Sequence, residues 1–125
     1  MKKLKTIQQV EKLNEVFAID DKGPGGAHHK YIITKKECNN DSERGKSIAE
    51  IQFQKGPRNE NGSIDGVTSG DLLEIVRDIL TSFQAGPFSS EYNEQALFHI
   101  EEALRWLNKR VEDRAMRGVL GKNEK

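Results

Sequence analysis

The segment FSSEYNEQALFHIEEALRWLNKRVEDRAMRG, residues 88–118, constrains the fold of this chain more than any other. Its apolar residues recur at alternating spacings of three and four, as along a coiled-coil seam: Leu97, Ile100, Leu104, Leu107 and Val111. Ser89 or Ser90 can cap the start, and Gly118 stands beyond the end. The pattern predicts one helix of about 28 residues.

A shorter helix is predicted just before it. Thr68 and Asp71 have the spacing of a capping box, and Gly-Pro at residues 86–87 ends the pattern. One face carries the apolar residues Leu72, Val76, Ile79 and Phe83. Because the connection between the two segments is so short, the helices are expected to fold back as an antiparallel pair.

The unequal lengths of these helices favour a partner chain. At 1.5 Å per residue the long helix extends about 15 Å beyond the short one. This overhang carries Trp106, Leu107 and Val111, which must pack on the N-terminal sheet or on another chain. The long helix is acidic in its first half and basic in its second, so two antiparallel copies would attract, although complementation of the helix dipole favours the same distribution. We predict a homodimer.

The N-terminal part is expected to be a small sheet. YIIT (31–34) and SIAEIQF (47–53) are rich in β-branched residues and predict an antiparallel hairpin. Residues 4–17 fit either a short amphipathic helix or a turn-broken approach to a strand. The fold class is therefore α+β, a small N-terminal antiparallel β-sheet followed by a long antiparallel two-helix hairpin. One domain spans 1–125, with a β-rich part (1–66), the helical hairpin (67–118) and a tail expected to fray (119–125).

Composition limits the classes of function. The 125 residues carry 20 basic and 20 acidic side chains, so any attraction for an anion must come from where charges lie. No stretch approaches the roughly 18 apolar residues that span a bilayer, and the single cysteine, Cys38, cannot form an intrachain disulfide. We expect a cytoplasmic protein in which Cys38 has no role.

The chain offers no pattern for catalysis. No nucleophile stands near a general base, and His28 and His29 are adjacent without a carboxylate or thiol at metal-ligand spacing. The neighbouring GPGG at residues 23–26 can be read as a phosphate-binding loop, but no Lys-Ser or Lys-Thr follows it, and a plain turn is favoured. We expect no enzyme, no metal and no cofactor, and the roles of both histidines stay open.

Nucleotide binding is the chemistry that the helical residues favour. Arg110, Arg114 and Arg117 form one stripe along the helix, and guanidinium groups suit phosphate oxygens, although solvated arginines at a helix end would look the same. Phe83 and Phe88 flank the turn near Asn93. Two rings and an amide are groups that stack on a base and read its edge, although Phe83 also has the spacing of a core residue.

The pentapeptide FQKGP (53–57) is repeated, with one change, as FQAGP (83–87). Two copies are too few for a repeat architecture. The first copy is predicted to end a strand and the second to end a helix. The pattern alone does not explain why the letters coincide.

A resemblance to a known family rests on these motifs. The doubled phrase, NEQAL (93–97), WLNKR (106–110) and RGVLG (117–121) resemble the phage family of Thoeris anti-defence protein one. FAIDDKGPGGAHHKYIIT (17–34) is similar to the start of the related anti-CBASS protein two. This chain departs from the family pattern at Val111, where threonine is common, and at RGVLG, where RGVEG is expected.

The resemblance implies a sponge, a protein that captures a cyclic ADP-ribose isomer made by host Thoeris TIR proteins and does not cleave it. It implies that Phe83 stacks on adenine and Asn93 bonds nearby, that Arg110 with Arg114 meets the diphosphate, and that Arg58 contributes. Hexamers among relatives also imply a trimer of dimers with separate sites for cyclic di- or trinucleotides.

Three alternatives stay open at this point. The first is a sponge for the cyclic oligonucleotides of CBASS. The second is a nucleic-acid-binding basic helix, but residues 105–125 hold seven basic and three acidic residues, a surplus of four that is modest for duplex binding. The third is a coiled-coil adaptor without a ligand.

Overall fold

The architecture matches the predicted fold class. The computed structural model of the protein describes residues 1–36, 46–122 and 124–125. The chain divides into two compact units, Met1–Gly66 and Val67–Lys125. The first holds an antiparallel sheet and the second holds two helices, which confirms α+β. Cys38 lies outside the described residues.

Four antiparallel strands form the sheet of the N-terminal unit, in the order β1-β2-β3-β4. They are β1 (Lys2–Lys3), β2 (Asn14–Ala18), β3 (Lys30–Lys35) and β4 (Ser47–Gln52). β3 and β4 are the predicted hairpin, and their β-branched residues suit a pleated, half-buried surface. Among the described residues, Ala18 is the one buried apolar side chain; it pairs with Tyr31, whose ring meets that of Phe53 edge to face at 5.7 Å.

The segment between β1 and β2 contains no helix. Thr6 Oγ1 donates to the Gln8 carbonyl at 2.7 Å, Gln8 Nε2 donates to the Val10 carbonyl at 3.0 Å, and Gln9 Nε2 donates to the Thr6 carbonyl. Such local side-chain bonds offer the backbone an alternative to helical hydrogen bonds. The amphipathic helix is therefore wrong for this segment, and the turn-broken approach to a strand is confirmed.

The two predicted helices are present, as α1 (Ser69–Gln84) and α2 (Glu91–Met116). Thr68 and Asp71 form the expected capping box at the start of α1. Of the two candidate caps of α2, Ser90 is the one whose hydroxyl accepts a hydrogen bond, from the Asn93 N–H. Neither helix of the described chain is long and apolar enough to cross a membrane.

The helices pack together and differ in length as expected. Arg77 Nε on α1 donates to Glu101 Oε2 on α2 at 2.9 Å. With 16 and 26 residues, α1 and α2 are about 24 and 39 Å long, so α2 overhangs by about 15 Å. Because Arg77 lies opposite Glu101, Trp106 is level with the first turn of α1 and not on the overhang as predicted, yet its ring is 65% exposed. The chain itself leaves this apolar group largely uncovered.

The apolar face of α1 differs from the predicted one. Of the predicted residues Leu72 is half-buried, but Val76, Ile79 and Phe83 are 39%, 49% and 42% exposed. Leu73 and Leu80, outside the predicted face, are half-buried. Almost half of α1 is apolar, so apolar side chains form more than one stripe, and α2 can cover only one of them. The spacing alone could not show which stripe would be covered.

Candidate functional site

The turn between α1 and α2 is closed by side-chain hydrogen bonds. The Ser90 N–H donates to Gln84 Oε1 at 2.9 Å, and the Asn93 N–H donates to Ser90 Oγ at 3.1 Å. Asn93 Nδ2 donates to the Phe88 carbonyl at 3.3 Å. The side-chain amide of Asn93 is therefore fixed beside the turn, while its Oδ1 takes no part in these bonds.

Two aromatic rings lie at the same end of the hairpin. Phe83 is in the last turn of α1, Phe88 follows in the connection, and both rings are exposed. An accessible ring can stack on a base, with a typical worth of about 1–3 kcal/mol. The structure thus brings Phe83, Phe88 and Asn93 to one end of the hairpin, as the sequence predicted.

Arg110 lies towards the opposite end of α2. It is 17 residues beyond Asn93 on one continuous helix, a separation of about 25 Å. Its side chain is exposed, and no residue that the structure describes forms a hydrogen bond or ion pair with it. Its guanidinium can meet an anion, but one chain does not bring it to Asn93.

Arg114 has a different environment. It is only 6% exposed, and its guanidinium is enclosed by carbonyl groups of the C-terminal tail. Nη2 donates to the Val119 and Lys122 carbonyls at 2.9 and 2.8 Å, and Nη1 donates to the Glu124 carbonyl at 2.5 Å. The described residues of the tail are thus bonded to a buried cation, and fraying of the tail stays a prediction. The contact of Arg114 with a diphosphate stays a prediction.

Arg117, the last arginine of the stripe, is also engaged within the chain. Its Nε donates to Asp113 Oδ2 at 3.0 Å, and its Nη1 donates to the Lys125 carbonyl at 2.9 Å. Of the three arginines in the predicted stripe, only Arg110 therefore presents a guanidinium without a partner among the described residues.

Arg58 belongs to the N-terminal unit, in the loop that follows the first FQKGP phrase. Its Nη2 donates to Gln54 Oε1 at 2.8 Å and to the Gly66 carbonyl at 2.9 Å. Its Nε lies 4.0 Å from Asp65 Oδ1. The head group is thus anchored through one nitrogen, while the side chain stays largely exposed.

The glycine-rich segment behaves as a turn. The Gly23 N–H donates to the Ala27 carbonyl at 2.8 Å, and the Gly26 N–H donates to the Gly23 carbonyl at 2.9 Å. Gly25 and Gly26 have φ of +74° and +76°, which favours glycine. These N–H groups bond to carbonyls of the turn itself and are not directed at an anion.

Asp20 and the two histidines stabilise the chain around this turn. The carboxylate of Asp20 accepts the His29 and Lys30 N–H groups at 2.9 and 3.1 Å, and His28 Nδ1 lies 2.6 Å from the Asp20 carbonyl oxygen. Partial burial acts to raise the pKa of Asp20, but these backbone hydrogen bonds and the nearby His28 outweigh it and lower the pKa. No group of three or more His, Cys, Asp or Glu among the described residues is placed to hold a metal ion.

The charged side chains in the middle of the helical hairpin stabilise the hairpin and do not favour binding of a phosphate. The pKa of the Arg77 guanidinium is raised, mainly by its hydrogen bond to Glu101 and further by the charges of Glu74 and Glu101. One shallow groove on α2 is lined by Glu94, Gln95, Leu97, Phe98 and Glu101. It includes none of the predicted ligand residues, and its carboxylates would repel phosphate.

Gln54 and Gln84 are two residues near the candidate ligand groups that the sequence patterns did not predict. Both stand second in the repeated phrase, and both use Oε1 to accept a hydrogen bond from a backbone N–H beyond the following turn. The repetition of FQ-x-GP was the available signal, because a shared letter at two otherwise different chain ends indicates a shared structural role.

Comparisons with known proteins found a matching family model and a similar curated protein. The family model described as Acb2/Tad1, hairpin domain, matches residues 46–112. A curated relative, Thoeris anti-defense 1 from Bacillus phage SBSphiJ7, is 44% identical over 78 residues, which cover 62% of this chain and 54% of the relative. The chain thus spans about half the length of the curated relative that it matches.

Proposed function

The chain belongs to the Acb2/Tad1 hairpin-domain family, and on that premise we propose that it is a phage anti-defence protein that sequesters a cyclic ADP-ribose isomer made by Thoeris TIR proteins. Sequestration without cleavage withholds the signal from the immune effector. The family match and the name of the phage relative support the anti-defence role. The choice of ligand follows the family resemblance, and the side chains of the helical hairpin suit it.

The observation that carries the proposal is the pairing of an exposed ring with a fixed amide. Phe83 and Asn93 lie at one end of the hairpin, where a ring can stack on adenine and Asn93 Oδ1 can accept a hydrogen bond. Arg110 offers an exposed guanidinium, which suits the oxygens of a diphosphate. An adenine nucleotide that contains a diphosphate uses all three groups.

A single chain cannot bring these groups to one small ligand. The 25 Å or so of helix between Asn93 and Arg110 exceeds the size of a mononucleotide. A second chain that runs antiparallel would supply its Arg110 beside the first chain's Phe83, and twofold symmetry would give two equivalent pockets. The exposed stripe of Val76, Ile79 and Phe83 supports this dimer, because contiguous exposed apolar surface marks interaction sites.

The same observations weaken the alternative of a nucleic-acid-binding helix. Such a helix needs several cations directed at phosphates. Arg114 and Arg117 bond to the C-terminal tail instead, so the predicted basic stripe is reduced to Arg110.

The proposal is tested by what the protein retains and releases. The purified chain is incubated with the products that a Thoeris TIR protein makes from NAD, desalted and heat-denatured, and the released molecule is identified by mass spectrometry. We expect an intact cyclic ADP-ribose isomer. Phe83→Ala should reduce the retained amount, whereas Phe98→Ala, an exposed phenylalanine in the middle of α2, should not. Release of a linear or hydrolysed product, or of nothing, would contradict sequestration.

The shared pocket is tested separately by mixing two defective chains. Phe83→Ala and Arg110→Ala chains, each unable to bind, are co-expressed. A mixed dimer has one pocket with both defects and one with neither, so random pairing should restore about a quarter of the wild-type sites. If mixed dimers form and no binding returns, the two residues do not act across a pair of chains.

A further inference from the structure

The glutamines of the repeated phrase FQ-x-GP have a role that the proposed ligand contacts do not include. We infer that these two glutamines, Gln54 and Gln84, are positioning residues: each closes the turn that follows it and so holds a side chain that the family resemblance assigns to the ligand. Gln54 holds Arg58, and Gln84 holds Asn93 through Ser90. This inference rests on the proposed function.

Gln84 sets the start of α2. As the last residue of α1 it accepts the Ser90 N–H, six residues further on, at 2.9 Å. Ser90 in turn caps α2 by accepting the Asn93 N–H, and Asn93 donates to the Phe88 carbonyl. The position of Asn93 therefore depends on a chain of three hydrogen bonds that begins at Gln84, which does not itself need to meet a ligand.

Gln54 closes a longer loop in the N-terminal unit. Its Oε1 accepts the Gly66 N–H, twelve residues further on, at 3.1 Å, and also accepts Arg58 Nη2 at 2.8 Å. Its Nε2 donates to the Gly56 carbonyl at 3.0 Å. A Cβ at Gly66 would lie 2.2 Å from the Gln52 carbonyl oxygen, so only glycine allows the loop end to come this close.

The two turns share a physical requirement although one follows a strand and the other a helix. In each phrase the proline has no N–H and cannot continue the element, and the chain returns with an N–H that has no regular partner. Glutamine supplies an acceptor on a side chain long enough to reach it. An amide and a guanidinium fixed in this way lose less conformational freedom when a ligand binds. The same residues recur because both turns need the same hydrogen bond.

The test separately changes the length of the glutamine side chain and the group that accepts the hydrogen bond. Gln→Asn keeps the amide but shortens it by one methylene, so its oxygen can no longer reach the N–H beyond the turn. Gln84→Glu keeps both the reach and an acceptor oxygen; Gln54 is not changed to glutamate, because its Nε2 also donates to the Gly56 carbonyl and a carboxylate cannot. The affinity for the cyclic ADP-ribose isomer that the wild-type chain retains is measured by titration calorimetry. We expect Gln54→Asn and Gln84→Asn to bind about three- to tenfold more weakly, the effect of one net hydrogen bond, and Gln84→Glu to bind within about twofold of wild type.

A double-mutant cycle separates positioning from general loss of structure. If Gln54 acts through Arg58, Gln54→Asn should cost less than about twofold in a chain that already carries Arg58→Ala. The same should hold for Gln84→Asn in an Asn93→Ala background. Gln95→Asn, an exposed glutamine on α2 without a role in these turns, is the matched control and should leave affinity unchanged in every background.

The outcomes distinguish this inference from the function on which it rests. If the wild-type chain binds no cyclic ADP-ribose isomer, the proposed function fails. If the wild-type chain binds and the asparagine variants bind equally well, or if their losses are the same with and without Arg58 and Asn93, the inference fails and the proposed function stands. Helical content from circular dichroism is measured for every variant, and a loss of affinity that follows a loss of helix also counts against positioning.

Discussion

The buried guanidinium of Arg114 makes a prediction about stability that can be worked out from its contacts. It donates to three carbonyl groups of residues 119, 122 and 124, all within hydrogen-bonding distance, and is almost inaccessible to water. Arg114→Ala removes the donors, so the C-terminal tail should separate from α2. We expect the free energy of unfolding of the chain to fall by about 2 kcal/mol.

This magnitude is the balance of two larger effects. A hydrogen bond from a charged donor contributes about 1.5–3 kcal/mol, so three bonds set an upper limit of several kcal/mol. The released carbonyls return to water, and each tail residue that is freed regains backbone entropy worth about 1 kcal/mol or more. The two effects largely offset each other, and a net loss of about 2 kcal/mol remains.

The assay is urea denaturation followed by far-ultraviolet circular dichroism, which reports mainly on α1 and α2. Arg117→Ala is the matched control, because Arg117 is exposed and should cost less than about 1 kcal/mol. Deletion of residues 119–125 should cost as much as Arg114→Ala, and combining the two should add little, because both remove the same bonds. Equal losses for Arg114→Ala and Arg117→Ala, or additive losses for the substitution and the deletion, would refute the reasoning.

Three further predictions concern other groups. Phe83→Ala should weaken ligand binding by about 1–3 kcal/mol, measured by calorimetry, with the helical content unchanged. Hydrogen bonds lower the pKa of Asp20 in the folded chain. Its contribution to stability is therefore present above the unfolded pKa of about 3.9 and is lost as pH falls through the lower folded value. The unfolding midpoint of Asp20→Asn should depend less on pH in that acidic range than the midpoint of wild type. Glu101→Gln should destabilise the hairpin in low salt and much less in 1 M NaCl, since the pair with Arg77 is partly exposed and screened.

The part of the candidate site at the helical turn could be predicted because its residues lie close together in sequence. Phe83, Phe88 and Asn93 are brought to one end of the hairpin by a short connection alone. The roles of Gln54 and Gln84 were indicated by the repetition of their phrase but not by propensity, because no propensity marks a glutamine in a turn as an acceptor for a distant N–H. The environment of Arg114 was also hidden, since its partners are backbone carbonyls, which every residue has.

The sequence by itself determined the elements of this protein: the capped helices, the β-branched hairpin and the Gly-Pro chain stops all follow from local propensity and periodicity. The tertiary structure alone decided which of those elements' surfaces are covered. It left Val76, Ile79 and Phe83 exposed and buried Arg114 against the tail. Periodicity shows that a helix has an apolar face, but burial depends on the shape and reach of whatever packs against it. When a helix has two apolar stripes, the contacts made by the whole chain determine which stripe is covered.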